Sequence, residues 1–209
     1  MLGALAAEPD PPTTVSEPRA ALEAHVADGL TGLEVPELRA AGTVADLGAG
    51  AGFPGLVLAV ALPDADVDLV ESGERKSETV RRLAAAAGLG NARAVHARAE
   101  DWARDEGAIR YEAVTARALA PLPVLCEYAA PLLADGGILV CWKGARRADE
   151  ELAGAEAAAE LGLLGREPLR VEPFPGAHSR HLHVFEKVAP APSRFPRRPG
   201  MAAKRPLGT

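Results

Sequence analysis

The sequence predicts an α/β protein on a mostly parallel sheet of about seven strands, with an antiparallel last strand. Three observations predict it. Short apolar runs alternate with longer stretches of helical periodicity through most of the chain. A glycine-rich turn, Asp46-Leu-Gly-Ala-Gly-Ala-Gly-Phe-Pro-Gly55, joins the first such strand to the helix after it. The last two strand-like runs follow each other with no helix between them, so they pair as a hairpin.

The elements follow in order. Residues 1–18 carry Pro9, Pro11, Pro12 and Pro18 and read as extended or loose. Arg19 to Leu30 is helical in pattern, with Leu22, Val26 and Leu30 on one face. Thr43–Leu47 is a short apolar run that reads as a buried strand, with Gly48 at its end. Helix 54–62 follows, then strand 66–71 and helix 74–88. The last of these places Val80, Leu83, Ala84 and Ala87 at the spacing of one buried face. A strand near Ala92 to His96 leads to a helical piece near Asp101 to Asp105. Tyr111 to Thr115 is the fourth strand. Leu119 to Leu133 is a helix with Leu122, Leu125, Cys126 and Ala129 on one side. Asp135-Gly-Gly137 turns into a fifth strand, Ile138 to Trp142. Asp149 to Leu161 is an alanine- and glutamate-rich helix. The closing strands lie near Gly165 to Phe174 and His181 to Lys187.

Composition sets limits. The 209 residues suffice for one α/β domain with a full core, and 48% apolar with 25% charged residues is ordinary for a globular protein. No run approaches a membrane span, and residues 1–7 lack the basic start and long apolar run of a signal peptide. Cys126 and Cys141 have no His or Cys at ligand spacing, so reduced core cysteines, a cytoplasmic location and no metal are expected. The net charge of −6 is unevenly placed. After Glu186 come six basic residues and no acid, which leaves −12 on residues 1–186. Such a tail suits phosphates or serves as a solubilising end. Aromatic residues are only 4%, so contact with nucleic acid would lean on charge and backbone.

The glycine turn carries the chemistry. Gly48, Gly50 and Gly52 sit where a strand passes into a helix, and glycine there lets backbone approach a ligand. Glu71 ends the next strand, the place where an acid holds the two hydroxyls of a ribose. A nucleoside-containing cofactor is expected. Gly50, Gly52 and Gly55 match the dinucleotide pattern G-x-G-x-x-G. Asp46 argues against a pyrophosphate, which needs a free, positive helix N-terminus. S-adenosylmethionine has no phosphate, and an acid near its cationic end is favourable. A turn serving packing alone is the third reading.

Further segments carry a resemblance: Leu69-Val-Glu-Ser72 with Arg75 and Lys76, Thr115-Ala-Arg-Ala118, Lys143-Gly144, Ser179-Arg-His-Leu182, and Phe195-Pro-Arg-Arg-Pro-Gly-Met-Ala-Ala-Lys-Arg-Pro-Leu207. With the glycine turn and Phe53-Pro54-Gly55, the chain resembles the glucose-inhibited division protein B family, bacterial 16S ribosomal RNA guanine-N7 methyltransferases, from about Thr13 to Leu207. His25 and Asp28 resemble a further N-terminal pair, read here as structural. The chain departs from the family at Pro11-Pro12-Thr13, where an Asn-Leu-Thr element is usual, and at Gly29, where serine is usual.

The resemblance implies a Rossmann-like class I methyltransferase fold, with S-adenosylmethionine as cofactor and small-subunit ribosomal RNA, or the subunit itself, as partner. It implies cofactor contacts at Gly48, Phe53, Ala99, Glu100 and Arg117, beside Asp46, Gly50 and Glu71 from the turn. Lys143, Arg180, Arg197, Arg198, Lys204 and Arg205 are candidates for RNA, with His181 beside them. No catalytic residue is nominated, because guanine N7 carries a lone pair and no proton. The expected division is an N-terminal extension and helix at 1–40, the methyltransferase domain at 41–188 and a basic tail at 189–209. Competing readings are a ribosome-assembly RNA-binding protein without activity, a small-molecule methyltransferase and a dinucleotide oxidoreductase.

Overall fold

Parallel strands form the middle of the structure, a computed structural model that describes residues 1–208. Thr209, the last residue of the expected tail, lies outside the described residues. The strands are β1 (Thr43–Leu47), β2 (Asp66–Glu71), β3 (Ala92–His96), β4 (Tyr111–Arg117) and β5 (Leu133–Lys143). They lie in the order β3-β2-β1-β4-β5, each pair parallel. β8 (Arg180–Lys187) pairs antiparallel with β5. β6 (Leu163–Gly165) and β7 (Leu169–Val171) both pair antiparallel with β8. The last strand in sequence therefore fills the gap between β5 and the strands before it. The sheet has eight strands, since the expected strand at 165–174 is two pieces. Pro168 stands in the break, where it has no N–H to give a ladder.

Alternation along the strands sorts the core into two layers. Val44, Val67, Leu69, Ile138 and Val140 face one side, under α5 (Gly55–Ala61) and α6 (Glu74–Ala86). Ala45, Leu47, Val70, Val114, Leu139 and Cys141 face the other, with α8 (Leu122–Ala129) and α9 (Ala148–Glu160). α8 is shorter than the expected 119–133, because Pro121 caps its start and Pro131 follows its end. The helical piece expected near 101–105 is α7 (Ala99–Trp102). Among the described residues no helix is long and apolar enough to cross a membrane, and no cluster of residues suits a metal ion.

The N-terminal segment is more ordered than its prolines suggest. α1 (Leu2–Ala6) buries Leu5, and Glu8 accepts from Arg82 at 2.9 and 2.6 Å, docking the segment on α6. Next come α2 (Pro18–Ala21), a π-wound turn at Leu22–Ala27 and α3 (Asp28–Leu30). A 3₁₀ turn at Thr31–Glu34 and α4 (Pro36–Ala40) lead into β1. Of the expected apolar stripe only Val26 packs against the core. Leu22 and Leu30 are 53% and 40% exposed, while His25 and Asp28 are buried.

The C-terminal segment is not extended. It lies over α7, α8 and α9 and ends in α10 (Met201–Lys204), which buries Ala202. Phe195 is buried in the core layer beneath α8. Arg104 Nη2 donates to the carbonyls of Pro196 and Arg197 at 2.7 and 2.8 Å. Gly200 N donates to Glu100 Oε1 at 2.8 Å. Arg197 grips Glu127 of α8 with two hydrogen bonds, Nε to Oε1 at 2.8 Å and Nη2 to Oε2 at 2.5 Å. Glu127 is 1% exposed, so the pair is a buried brace.

Replacing Arg197 with Ala strands the buried Glu127 charge and is expected to cost about 3 kcal/mol of stability. Glu127→Leu combined with Arg197→Met removes both charges together and is expected to recover most of the loss. Urea unfolding followed by circular dichroism of the wild type and the two variants measures this. A wild-type midpoint for Arg197→Ala would show that the tail braces nothing.

Candidate functional site

The turn after β1 is held from two sides by carboxylates. Asp46 points inward at 1% exposure. Its Oδ2 accepts from Gly55 N at 2.9 Å, and its Oδ1 from Thr115 Oγ1 of β4 at 2.8 Å. Burial pushes the Asp46 carboxyl up to about 6, against the lowering effect of the Thr115 and Gly55 bonds. Glu71 approaches from β2. Its Oε2 accepts from Gly50 N at 3.0 Å and its Oε1 from Gly73 N at 2.8 Å. Between them the chain turns through Gly48, Gly50 and Gly52 at φ values of +64°, +56° and +90°. A Cβ at Gly48 would also stand 2.5 Å from the Leu119 side chain, which would have to move aside.

This turn opens on a cavity of about 750 Å³ at the carboxyl edge of the sheet. Gly48, Gly50, Phe53 and Glu71 line it from the β1 and β2 side. Arg117 and Leu119 line it from the end of β4, and Trp142 and Lys143 from the end of β5. Arg180 and His181 reach it from β8, and Thr13, His25 and Asp28 close it from the N-terminal segment.

The structure thus brings together Gly48, Gly50, Phe53, Glu71, Arg117, Lys143, Arg180 and His181 of the expected residues. Others lie elsewhere. Asp46 does not line the cavity. The expectation that it sits beside the cationic end of a ligand is corrected, because its carboxylate points into the fold and away from the cavity. Its effect on phosphate is stronger than expected, since it occupies an amide at the α5 N-terminus. Ala99 and Glu100 lie outside the lining, and Glu100 Oε1 serves the tail through Gly200 N. Arg197 is tied to Glu127 and braces the tail, whereas Arg198, Lys204 and Arg205 are exposed.

The N-terminal pair is part of the site and not only a support. Arg117 donates to Ala24 O at 2.8 Å, to Asp28 Oδ2 at 2.9 Å and to His25 Nδ1 at 3.0 Å. A guanidinium only donates, so Nδ1 must accept and His25 carries its proton on Nε2. Nε2 donates to Val15 O at 2.9 Å and lies 3.2 Å from Thr13 Oγ1. Burial, then the Arg117 charge, pulls the His25 imidazole below its ordinary range and keeps it neutral. Its ring stacks on Phe53 with centroids 4.6 Å apart and planes at 11°. One cue for these residues was in the sequence. His25 and Asp28 are three apart on a helix whose leucines occupy the opposite face. Trp142 and Leu119 had no such cue. Lys143 Nζ forms an ion pair with Glu150 at 2.5 Å, so only part of its charge is left for a ligand.

The donor set fits a nucleoside that carries an amino acid and no phosphate. Each Glu71 oxygen accepts one internal bond and keeps a lone pair for a ribose hydroxyl. Phe53 and Leu119 are apolar walls, and the α5 amide that would meet a phosphate is taken by Asp46.

Comparison with known proteins agrees with this chemistry. Residues 13–182 match the family model described as rRNA small subunit methyltransferase G. Proteins named ribosomal RNA small subunit methyltransferase G are similar over most of their length. That of Rubrobacter xylanophilus is 43% identical over 91% of this chain and 75% of its own. That of Chloroflexus aggregans is 41% identical over 93% and 82%. Among solved structures, a predicted O-methyltransferase from Agrobacterium tumefaciens is similar at TM-score 0.59 and 25% identity, over 78% of this chain and 80% of that one. A SAM-dependent O-methyltransferase from Thermotoga maritima shares the fold at TM-score 0.58 and 16% identity, over 79% of this chain and 66% of that one.

The raised Asp46 value has a measurable consequence. Its folded-state value, about 6, exceeds the ordinary 3.8 of an unfolded chain, so the folded state binds the extra proton. Stability from this group therefore falls as pH rises from about 4 through about 6. Asp46→Asn keeps an acceptor for Gly55 N and offers an N–H to Thr115. Relative to the wild type, the variant should gain roughly 2–3 kcal/mol between pH 4 and pH 7. Chemical denaturation of both proteins across that range tests it, and a constant difference would contradict the shift.

Proposed function

The chain belongs to the rRNA small subunit methyltransferase G family and is a methyltransferase; on that premise we propose that it moves a methyl group from S-adenosylmethionine to N7 of a guanine in 16S ribosomal RNA. The observation that carries the reading is the pairing of a ribose-ready Glu71 with a glycine turn whose helix amide is already occupied by Asp46. That pairing suits S-adenosylmethionine and disfavours a dinucleotide. A chain that methylates ribosomal RNA would work in the cytoplasm.

S-adenosylmethionine, when bound, supplies a methyl group activated on a sulfonium. The chain has the remaining tasks. Glu71 accepts from the ribose hydroxyls. Gly48 and Gly50 bring backbone close to the ligand without a side chain in the way. Phe53 and Leu119 exclude water from the region between cofactor and base. Guanine N7 needs no proton removed, so no general base is assigned; His25 is held neutral with both of its nitrogens engaged. Holding the two reacting atoms in line near contact distance is therefore the main contribution, worth roughly 7–11 kcal/mol in well-oriented systems. Arg180, His181 and the remaining charge of Lys143 face the mouth, where the RNA backbone enters. Arg198, Lys204 and Arg205, exposed on the tail, offer a second set of positive charges for RNA phosphates.

Methyl transfer from labelled cofactor to small-subunit RNA, with the modified base mapped, tests the activity. Label at guanine N7 is expected, and label on a hydroxyl or on no RNA at all would overturn it. In calorimetry, Glu71→Ala is expected to weaken S-adenosylhomocysteine binding by roughly 1–3 kcal/mol, through loss of charge-assisted hydrogen bonds. Unchanged affinity would remove Glu71 from the ribose.

The tail is tested separately. Replacing Arg198, Lys204 and Arg205 with Ala should lower the salt slope of RNA binding by roughly 0.7–0.9 per lost phosphate contact. Cofactor affinity should not change. RNA titrations of wild type and variant at several salt concentrations give the slopes, and equal slopes would take the tail off the RNA.

A further inference from the structure

One buried polar atom in the cavity wall has no partner. Asp28 is 4% exposed. Its Oδ2 accepts from Arg117, but Oδ1 has no hydrogen-bond donor. Arg180 Nε stands 3.8 Å from Oδ1, beyond hydrogen-bond reach, on a side chain that is 47% exposed and able to swing aside. A buried carboxylate oxygen without a donor is unfavourable, and native proteins rarely keep one without a use. Arg117 is in the complementary condition. Its Nη1 and Nη2 bond Ala24, Asp28 and His25, and its Nε makes no hydrogen bond among the described residues. An acid that lacks a donor and a guanidinium with N–H to spare thus lie side by side in one cavity wall.

That pair is the complement of an α-amino-acid zwitterion. An ammonium supplies the donor that Oδ1 lacks, and a carboxylate takes the spare N–H. A phosphate suits the guanidinium but is repelled by the Asp28 carboxylate beside it, so the wall does not fit an RNA backbone. The placement fits as well. Glu71 ends β2, Gly48 follows β1 and Arg117 ends β4, and these three strands are consecutive in the sheet. Adjacent strands lie about 4.8 Å apart, so the line from Glu71 to Arg117 spans roughly 10 Å. An extended sulfonium nucleoside needs a comparable length between its ribose hydroxyls and its amino-acid head. We propose that Asp28 receives the α-ammonium of the cofactor's methionyl end, beside Arg117, whose cofactor contact the family resemblance already implies and whose spare N–H suits the α-carboxylate. The proposal rests on the S-adenosylmethionine reading above and assigns the N-terminal segment a direct part in cofactor binding.

Calorimetry on the full chain tests it with three probes: S-adenosylhomocysteine, the same molecule lacking its amino group, and 5′-methylthioadenosine, which has no amino acid. The wild type is expected to bind S-adenosylhomocysteine at least about tenfold more tightly than the deaminated probe, the effect of one charged hydrogen bond. Asp28→Asn should erase most of that difference and leave 5′-methylthioadenosine unchanged. Equal binding of the first two probes by the wild type overturns the assignment, and needs no variant to fold. So does an equal loss for all three probes in Asp28→Asn, which would mark Asp28 as a support alone. If the wild type binds none of the three, the cofactor reading itself fails.

Discussion

The hydrogen bonds of one buried carboxylate hold the site in shape. Asp46 joins the end of β1 to the first amide of α5 and to the Thr115 hydroxyl on β4. It therefore sets how the glycine turn leaves the sheet and where α5 begins. Gly55 has no room for a side chain, since a Cβ would stand 2.8 Å from Asp46 itself. Burying the acid raises its carboxyl to about 6, which is unfavourable at neutral pH. In return the turn is rigid, and the positive end of α5 is closed to phosphate. Glu71 completes the frame by taking the amides of Gly50 and Gly73, so the same side chain shapes the turn and lines the cavity.

The two ends of the chain act on this frame differently. The N-terminal segment closes one side of the cavity. Its polar face, not its apolar one, turns inward, because Arg117 at the end of β4 needs acceptors and His25, Asp28 and Ala24 O supply them. Leu22 and Leu30 are left outside as a consequence. The C-terminal segment runs over the opposite helical layer. There Arg197, Phe195 and Gly200 fasten it to Glu127, the core and Glu100. Sorting its basic residues by these contacts separates Arg197, which braces the fold, from Arg198, Lys204 and Arg205, which face solvent.

Much of the fold was legible in the sequence, because hydrophobic alternation and glycine placement are local signals. β2, β3 and the antiparallel course of β8 lie where their apolar runs predict. The misreadings have local causes too. Pro168 divides an expected strand, and Pro121 and Pro131 shorten an expected helix. The site was legible where a residue type has few local alternatives: glycine at positive φ, an acid ending β2, an arginine ending β4. It was not legible where a side chain's role depends on which partner reaches it first. Asp46 and Glu100 are acids in plausible ligand positions, yet neither lines the cavity: Asp46 turns toward Gly55 and Thr115, and Glu100 toward Gly200.

By itself the sequence determined the order of strands and helices, the glycine turn and the acid that follows β2. Each of these rests on interactions between near neighbours, or on backbone conformations that few residues accept. Only the tertiary structure decided which charges are spent inside the fold and which remain for a ligand. Arg117 and Asp28 are 89 positions apart, and Arg197 and Glu127 are 70 apart. Contacts at that separation leave no periodic trace, and an arginine within reach of a buried carboxylate is drawn to it before any solvent-borne phosphate.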